Sequence, residues 1–227
     1  VVATSEWAGR GLAERHGLDP ARVGVAAPGV DPAPVAPGTD GASRLLCVAS
    51  VTPRKGHDVL VAALASLRDL DWSCVCAGPL RRDPGFADRI RRMIDDGGLA
   101  GRVRLAGPLT GRPLDDAYAA ADLVVLPSRA ETYGMVVTEA LARGIPVLAS
   151  AVDALPETLG RGPDGGVPGL LVPPDDPEAL AGALRQWLIN PSLRVKIRTS
   201  ALHRRGMLHG WATTTRDLAH LLERLPG

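Results

Sequence analysis

Hydrophobic and polar positions along this chain change period again and again. Short apolar runs stand at 45–50 (LLCVAS), 72–77 (WSCVCA), 103–106 (VRLA), 123–126 (LVVL), 146–149 (PVLA) and 169–172 (GLLV), each with the length and composition of a buried strand. Between them the period lengthens to that of a helix. Residues 57–68 put Val59, Leu60, Ala63, Leu64 and Leu67 on one face. Further helices are expected at 86–96, ended by Gly97-Gly98, at 115–121, at 136–143, stopped by Gly144, and at 154–159 and 177–188. Strands alternating with helices predict parallel strands joined by right-handed crossovers, an α/β, doubly wound parallel sheet with both faces covered. Ligands of such sheets bind at the carboxyl ends of the strands.

The two ends break this rhythm. Residues 1–5 and 22–26 are short strand-like runs, and 6–16 is a helix with Ser5 as its N-cap. Residues 28–38, PGVDPAPVAPG, hold four prolines and two glycines, which excludes a helix and predicts a linker. At the other end, helical runs at 191–208 and 211–225 are separated by a break at His209-Gly-Trp211. The last carries Leu218, Leu221, Leu222 and Leu225 with no evident partner; they pack either on their own domain or back on the segment ahead of the linker. The expected division is 1–38, 39–208 and 209–227. The tetrapeptide AGPL ends a strand at 77–80 and again at 106–109, where Gly-Pro is sufficient to terminate it.

Composition narrows the class. The 227 residues are 45% hydrophobic and 22% charged, an ordinary globular balance. A net charge of +1 and 3% aromatics argue against nucleic acid as a partner. No apolar run is long enough to span a bilayer, so membrane association is not encoded here. The start, VVATSEW, has no Met and no signal-peptide layout and reads as a chain beginning mid-protein. Cys47, Cys74 and Cys76 all fall in strand-like runs, and an odd number of buried thiols suits a reducing cytoplasm. Cys74-Val-Cys76 lacks a second ligand pair, so no metal site is expected.

The candidate chemistry gathers around residues 127–150, PSRAETYGMVVTEALARGIPVLAS. Glu131 lies in the loop after a strand, and Glu139 eight positions later on the helix. Gly134, Met135 and Val136 open that helix, where unpaired backbone N–H groups favour an anion. A second anion-binding element follows the first long strand, Thr52-Pro-Arg-Lys-Gly-His57, which sets Arg54 and Lys55 at a helix start. Phosphate between carboxylates that can grip hydroxyls is the pattern a nucleotide-sugar requires. The blander alternative is an ordinary crossover with solvated acids and loop cations. His57 and His209 stand outside any motif, and no G-x-G-x-x-G follows a strand, against a dinucleotide oxidoreductase.

The Glu131–Glu139 stretch, with TYGMVVT inside it and ALARGIPVLAS after it, resembles the donor-site motif of retaining GT-B glycosyltransferases of family 4. The likeness runs through nearly the whole chain and implies the Rossmann-like C-terminal half of that architecture, with 1–38 as the tail of an acceptor-binding domain and its linker. It implies a nucleoside-diphosphate sugar as donor, with neither cofactor nor metal and an acceptor left unspecified. By the same resemblance Lys55-Gly56 contacts the donor phosphates, Glu139 the ribose hydroxyls, Leu109 the base, and Glu131 the sugar hydroxyls beside the reacting carbon. One position departs from the pattern: Ser50 stands where an Arg is usual. Arg54 then either supplies the missing charge or points to solvent. Two rival functions are a sugar-nucleotide epimerase, which requires additional acid/base residues, and a non-catalytic nucleotide-binding module.

Overall fold

A computed structural model describes residues 1–39 and 43–223. Its centre is a six-stranded, all-parallel sheet. The strands are β3 (Arg44–Val48), β4 (Ser73–Ala77), β5 (Val103–Gly107), β6 (Leu123–Leu126), β7 (Val147–Ser150) and β8 (Gly169–Val172), in the spatial order β5-β4-β3-β6-β7-β8. β3 and β6 pair through Leu45 with Leu123 and Leu46 with Val124. The side chains of β6 and β7 are buried on both faces, because helices cover the sheet on each side.

One face is packed by α2 (His57–Ala65), α3 (Pro84–Asp96) and α7 (Pro177–Ile189) through residues such as Leu60, Leu64, Ile90, Leu184 and Trp187. The other is packed by α4 (Arg112–Ala119), α5 (Met135–Ala142), α6 (Leu155–Leu159) and α8 (Pro191–Arg205), through Tyr118, Val137, Leu141, Leu155 and Ala201. The expected helices differ from these mainly at their ends. α3 starts two residues early because Asp83 caps it and Pro84 suits the first turn. α4 runs over Arg112–Ala119, not 115–121, because Pro113 in its first turn favours an earlier start. α2 stops at Ala65, after which the chain continues in turns.

The N-terminal segment forms a separate small unit. β1 (Val2–Ala3) pairs in parallel with β2 (Gly24–Val25), and α1 (Glu6–His16) connects them. A two-stranded sheet of this size is not stable by itself. It is held by neighbours on both sides. α9 (Trp211–Glu223) packs against β2, with Leu221 where a Cβ on Gly24 would lie. The carboxylate of Glu157 accepts from the N–H groups of Glu6 (2.8 Å) and Trp7 (3.0 Å), and Ser5 donates to the Thr132 carbonyl at 2.9 Å. Leu218 and Leu222 of α9 remain exposed; Leu225 lies outside the described residues.

The proline-rich stretch after β2 has no regular secondary structure, as its composition requires, yet it is pinned along its length. Val30 donates to the His209 carbonyl at 3.0 Å, Ala36 to the Arg143 carbonyl at 2.9 Å, and Arg205 to the Ala33 carbonyl at 2.9 Å. At its far end the N–H and hydroxyl of Thr39 both meet the buried carboxylate of Asp122.

Candidate active site

The strand order reverses between β3 and β6. The chain leaves β3 to build the sheet in one direction and returns to β6 to build it in the other. The loops after these two adjacent strands diverge there, and the crevice between them is where doubly wound sheets bind ligands. Both carry residues singled out from the sequence.

After β3, Pro53–Lys55 makes one 3-10 turn and Gly56 starts α2; after β6, Gly134 starts α5. Gly56 has φ +67°, and a Cβ there would sit 1.9 Å from the Pro127 carbonyl oxygen. Only glycine lets the two loops approach this closely. Gly134 has φ +90°, and a Cβ there would meet Leu155 at 2.6 Å. Neither helix start has a side-chain cap. At α5 the leading N–H groups of Met135 and Val136 are therefore left for a ligand or water, whereas at α2 the carboxylate of Asp58 lies in the first turn and accepts from the Val59 N–H.

Lys55 Nζ and the Glu131 carboxylate form a hydrogen-bonded ion pair across the crevice, with side chains 15% and 16% exposed. Arg54 is exposed, and its guanidinium donates to the Ala130 carbonyl at 3.0 Å, one residue from Glu131. Glu131 itself is clamped through its backbone: its N–H donates to Asp153 at 2.8 Å, and its carbonyl accepts from Ala154 at 3.2 Å. Asp153 has φ +49°, a left-handed conformation rare outside glycine, which marks this clamp as locally strained.

Arg129 holds the two loops in register. Its guanidinium donates to both oxygens of Asp58, at 2.9 and 3.1 Å, and to Asp175 in the loop before α7 at 2.6 Å, while its backbone N–H donates to the Arg54 carbonyl at 2.8 Å. Burial by itself would raise the Asp58 pKa, but the hydrogen bonds and charge of Arg129 outweigh it and hold the carboxyl below its ordinary 3.8. The same bonds, Asp58 first, keep Arg129 firmly protonated.

Glu139 points the other way from α5, into a cavity of about 210 Å³. Tyr118, fully buried, donates its hydroxyl to Glu139 Oε2 at 2.7 Å. Among the described residues nothing bonds Oε1. Burial, then the neighbouring carboxylate, pushes the Tyr118 pKa far up, so it stays a donor. The guanidinium of Arg143 lies 4.4 Å over the Tyr118 ring and bonds Asp115 at 2.6 Å and the Glu139 carbonyl at 3.1 Å. Met135 lines the same cavity, as do Val30, Asp31 and Pro32 of the linker and Trp211 of α9.

Lys55, Glu131 and Gly134 thus meet at the start of α5, with Arg54 at the rim, Met135 and Val136 open the helix, and Glu139 lies further along it with Met135 in a separate cavity. Leu109 lines a neighbouring groove with Leu46 and Val75 and does not border the Glu139 cavity. Ser50, at the end of β3, is half-buried. His57 is wholly buried with Nε2 3.7 Å from Cys47 Sγ, and among the described residues its Nδ1 has no hydrogen-bond partner. The three cysteines are free and buried; the hydrogen bond from Cys76 and then burial push the Cys47 thiol up. Tyr118 and Asp153 were not visible as site residues because they reach it from other elements, and Arg129 and Arg143, though close in sequence to Glu131 and Glu139, because their partners Asp58, Asp175 and Asp115 lie far along the chain.

A six-stranded parallel sheet with helices on both faces, and open helix starts at its switch point, is the Rossmann-like C-terminal half of the GT-B architecture. Residues 37–204 match the family described as glycosyl transferases group 1, and the chain belongs to that family. It is 35% identical to a D-inositol 3-phosphate glycosyltransferase of Kineococcus radiotolerans, over 99% of this chain and 57% of that protein. A namesake from Catenulispora acidiphila is 36% identical, over 93% of this chain and 54% of the other. Among solved structures, a sucrose-phosphate synthase from Thermosynechococcus elongatus superposes with a TM-score of 0.81 at 29% identity, covering 99% of this chain and 57% of that one. Anabaena HepE, solved with UDP and glucose, shares the fold with a TM-score of 0.86 at 22% identity, covering 99% and 63%. The chain therefore spans little more than half the length of these curated relatives.

Proposed function

We propose that this chain is the donor-binding half of a retaining glycosyltransferase, one that takes its sugar from a nucleoside-diphosphate sugar. The observation that carries the reading is the pairing of Lys55 with Glu131 across the β3/β6 switch point, beside two helix starts that no side chain caps. A diphosphate placed there meets the ammonium of Lys55 and the N–H groups that open α5. Arg54, at the rim, adds a second cation where Ser50 supplies none. The sugar then lies against Glu131, which holds its hydroxyls beside the reacting carbon. The ribose hydroxyls reach Glu139, oriented by Tyr118, and Leu109 contributes an apolar contact to the base from the loop after β5.

In this reading residues 1–38 close an acceptor-binding domain, 39–208 bind the donor, and 209–227 cross back onto the first segment. The hydrogen bonds from the linker to His209, and the packing of α9 on β2, support that division. Three buried free thiols support a cytoplasmic setting. Reacting groups must be held about 3–3.5 Å apart, so the chain by itself binds donor and transfers no sugar.

Calorimetry separates the two acidic roles. Glu139→Ala should weaken a nucleoside diphosphate and its sugar conjugate alike, because both carry the ribose. Glu131→Ala should weaken the conjugate without weakening the diphosphate. Equal behaviour of the two variants would refute these assignments, and turnover by the isolated chain at the rate of a complete enzyme would refute the division of labour.

A further inference from the structure

Resting on the proposed donor site, we infer that the Lys55–Glu131 ion pair is a specificity device, one that makes the site prefer the sugar-bearing donor over its sugar-free diphosphate. The two charges satisfy each other across the crevice, and both side chains are mostly removed from water. Any phosphate that engages Lys55 must take the ammonium away from Glu131. A sugar-free diphosphate does so and leaves the carboxylate with no partner in a half-buried position, where an unmatched charge is unfavourable. A diphosphate sugar replaces both halves of the pair at once, giving phosphate oxygens to Lys55 and hydroxyls to Glu131. Only the complete donor exchanges the ion pair for an equally satisfied set of contacts.

The backbone supports this use of the pair. Glu131 is clamped through its N–H and carbonyl by Asp153 and Ala154, and Arg129 ties the Glu131 loop to the loop of Lys55. With its backbone held, the carboxylate can follow the departing ammonium only within the reach of its own side-chain rotation. The same competition acts after transfer. Once the sugar has left, Glu131 loses its hydroxyl partners and recaptures Lys55, which displaces the phosphate and favours product release.

The test is a double-mutant cycle on Glu131→Gln and Lys55→Gln, read by calorimetry with three matched ligand pairs: UDP and UDP-glucose, GDP and GDP-mannose, ADP and ADP-glucose. Glu131→Gln keeps the shape of the side chain and its capacity for hydroxyls but removes the charge that holds Lys55. Sugar-free diphosphate should bind about fivefold tighter to this variant, an effect of the size expected for a partly exposed ion pair. Its preference for the conjugate should collapse by at least that factor. In the Lys55→Gln background the same change should leave diphosphate affinity unaltered. Unchanged or weaker diphosphate binding in Glu131→Gln overturns the inference. So does equal tightening in both backgrounds, which would mean general repulsion between carboxylate and phosphate.

A second measurement needs no ligand. The Lys55 ammonium should exchange its protons slowly in the wild-type chain by NMR and rapidly in Glu131→Gln; identical exchange in both overturns the pair itself. Failure of the wild-type chain to bind any of the six ligands would instead overturn the donor site, and the device with it.

Discussion

Helices of two kinds begin around this sheet. α3, α7 and α8 each start under a side chain that accepts from their first turn: Asp83 from the Phe86 N–H, Asp176 from Ala179, and Asn190 from Leu193. α2 and α5 start at glycines with positive φ and have no side-chain cap, and α4, which starts at Gly111, and α6 have none either. The capped starts complete their own hydrogen bonding and contribute stability. Of these open starts, those of α2 and α5 stand over the crevice between β3 and β6, the one place where the strand order turns. Where an open start also stands at the switch point, a bound anion can supply the missing partner. The contrast also explains the glycines. A capping side chain at position 56 would need a Cβ, and that atom would fall on the Pro127 carbonyl.

The sharpest way to break this contrast is to put that Cβ in place. Gly56→Ala combines a left-handed conformation with a backbone clash, and it should destabilise the chain by about 3 kcal/mol or more in urea unfolding. Donor binding should go with it. An alanine variant of near wild-type stability would show that the loops do not need their close approach.

Next in size is the loss of the cation. Lys55→Ala should weaken nucleoside diphosphate by about 1.5–3 kcal/mol in calorimetry and leave a phosphate-free nucleoside unaffected. Arg54→Ala should weaken it less, because Arg54 is exposed and already bonds the Ala130 carbonyl. The Arg54 effect should also shrink as salt rises, since an exposed contact is screened. Equal losses in the two variants would make Arg54 a full replacement for the cation that Ser50 lacks.

The capped helices should behave in the opposite way. Asp83→Ala removes the cap of α3, which supplies no member of the Lys55–Glu131 pair, and should lower stability by about 1 kcal/mol without changing diphosphate affinity. Weaker binding in this variant would erase the distinction between the two kinds of helix start.

The smallest effect is a pH dependence. Asp58 has its pKa lowered in the folded chain, so its contribution to stability is present above the ordinary value of 3.8 and is lost as the pH falls through the folded pKa. Arg129→Ala should therefore be less stable than the wild type by about 1 kcal/mol near neutral pH. That difference should narrow as Asp58 takes up its proton below about pH 4. A gap that stays constant down to pH 3 would mean that Arg129 stabilises the loops by packing alone.

Much of this was legible in the chain before any coordinates. The apolar runs of β3 to β8 and the helical spacing between them depend on local periodicity, which forces buried strands and amphipathic helices whatever their neighbours. The places of Lys55 and Glu131 were legible because a loop leaving a strand and entering a helix sets its residues at the sheet's edge, whereas Glu139, within α5, was singled out by its spacing from Glu131 and by a resemblance. What local pattern cannot carry is the position of groups joined only through space. Tyr118 meets Glu139 from a helix 21 residues away in sequence, and Arg129 gathers Asp58 and Asp175 from 71 and 46 residues away. The proline-rich stretch read as a bare linker because proline excludes helix, while its role as a wall of the Glu139 cavity comes from contacts with α5 and α9. That Lys55 faces Glu131 was likewise decided only in three dimensions, where β3 and β6 lie side by side although 74 residues of chain, 49–122, separate them. Periodicity acts within a segment, and a site at a switch point is made by segments that only the closed sheet brings together.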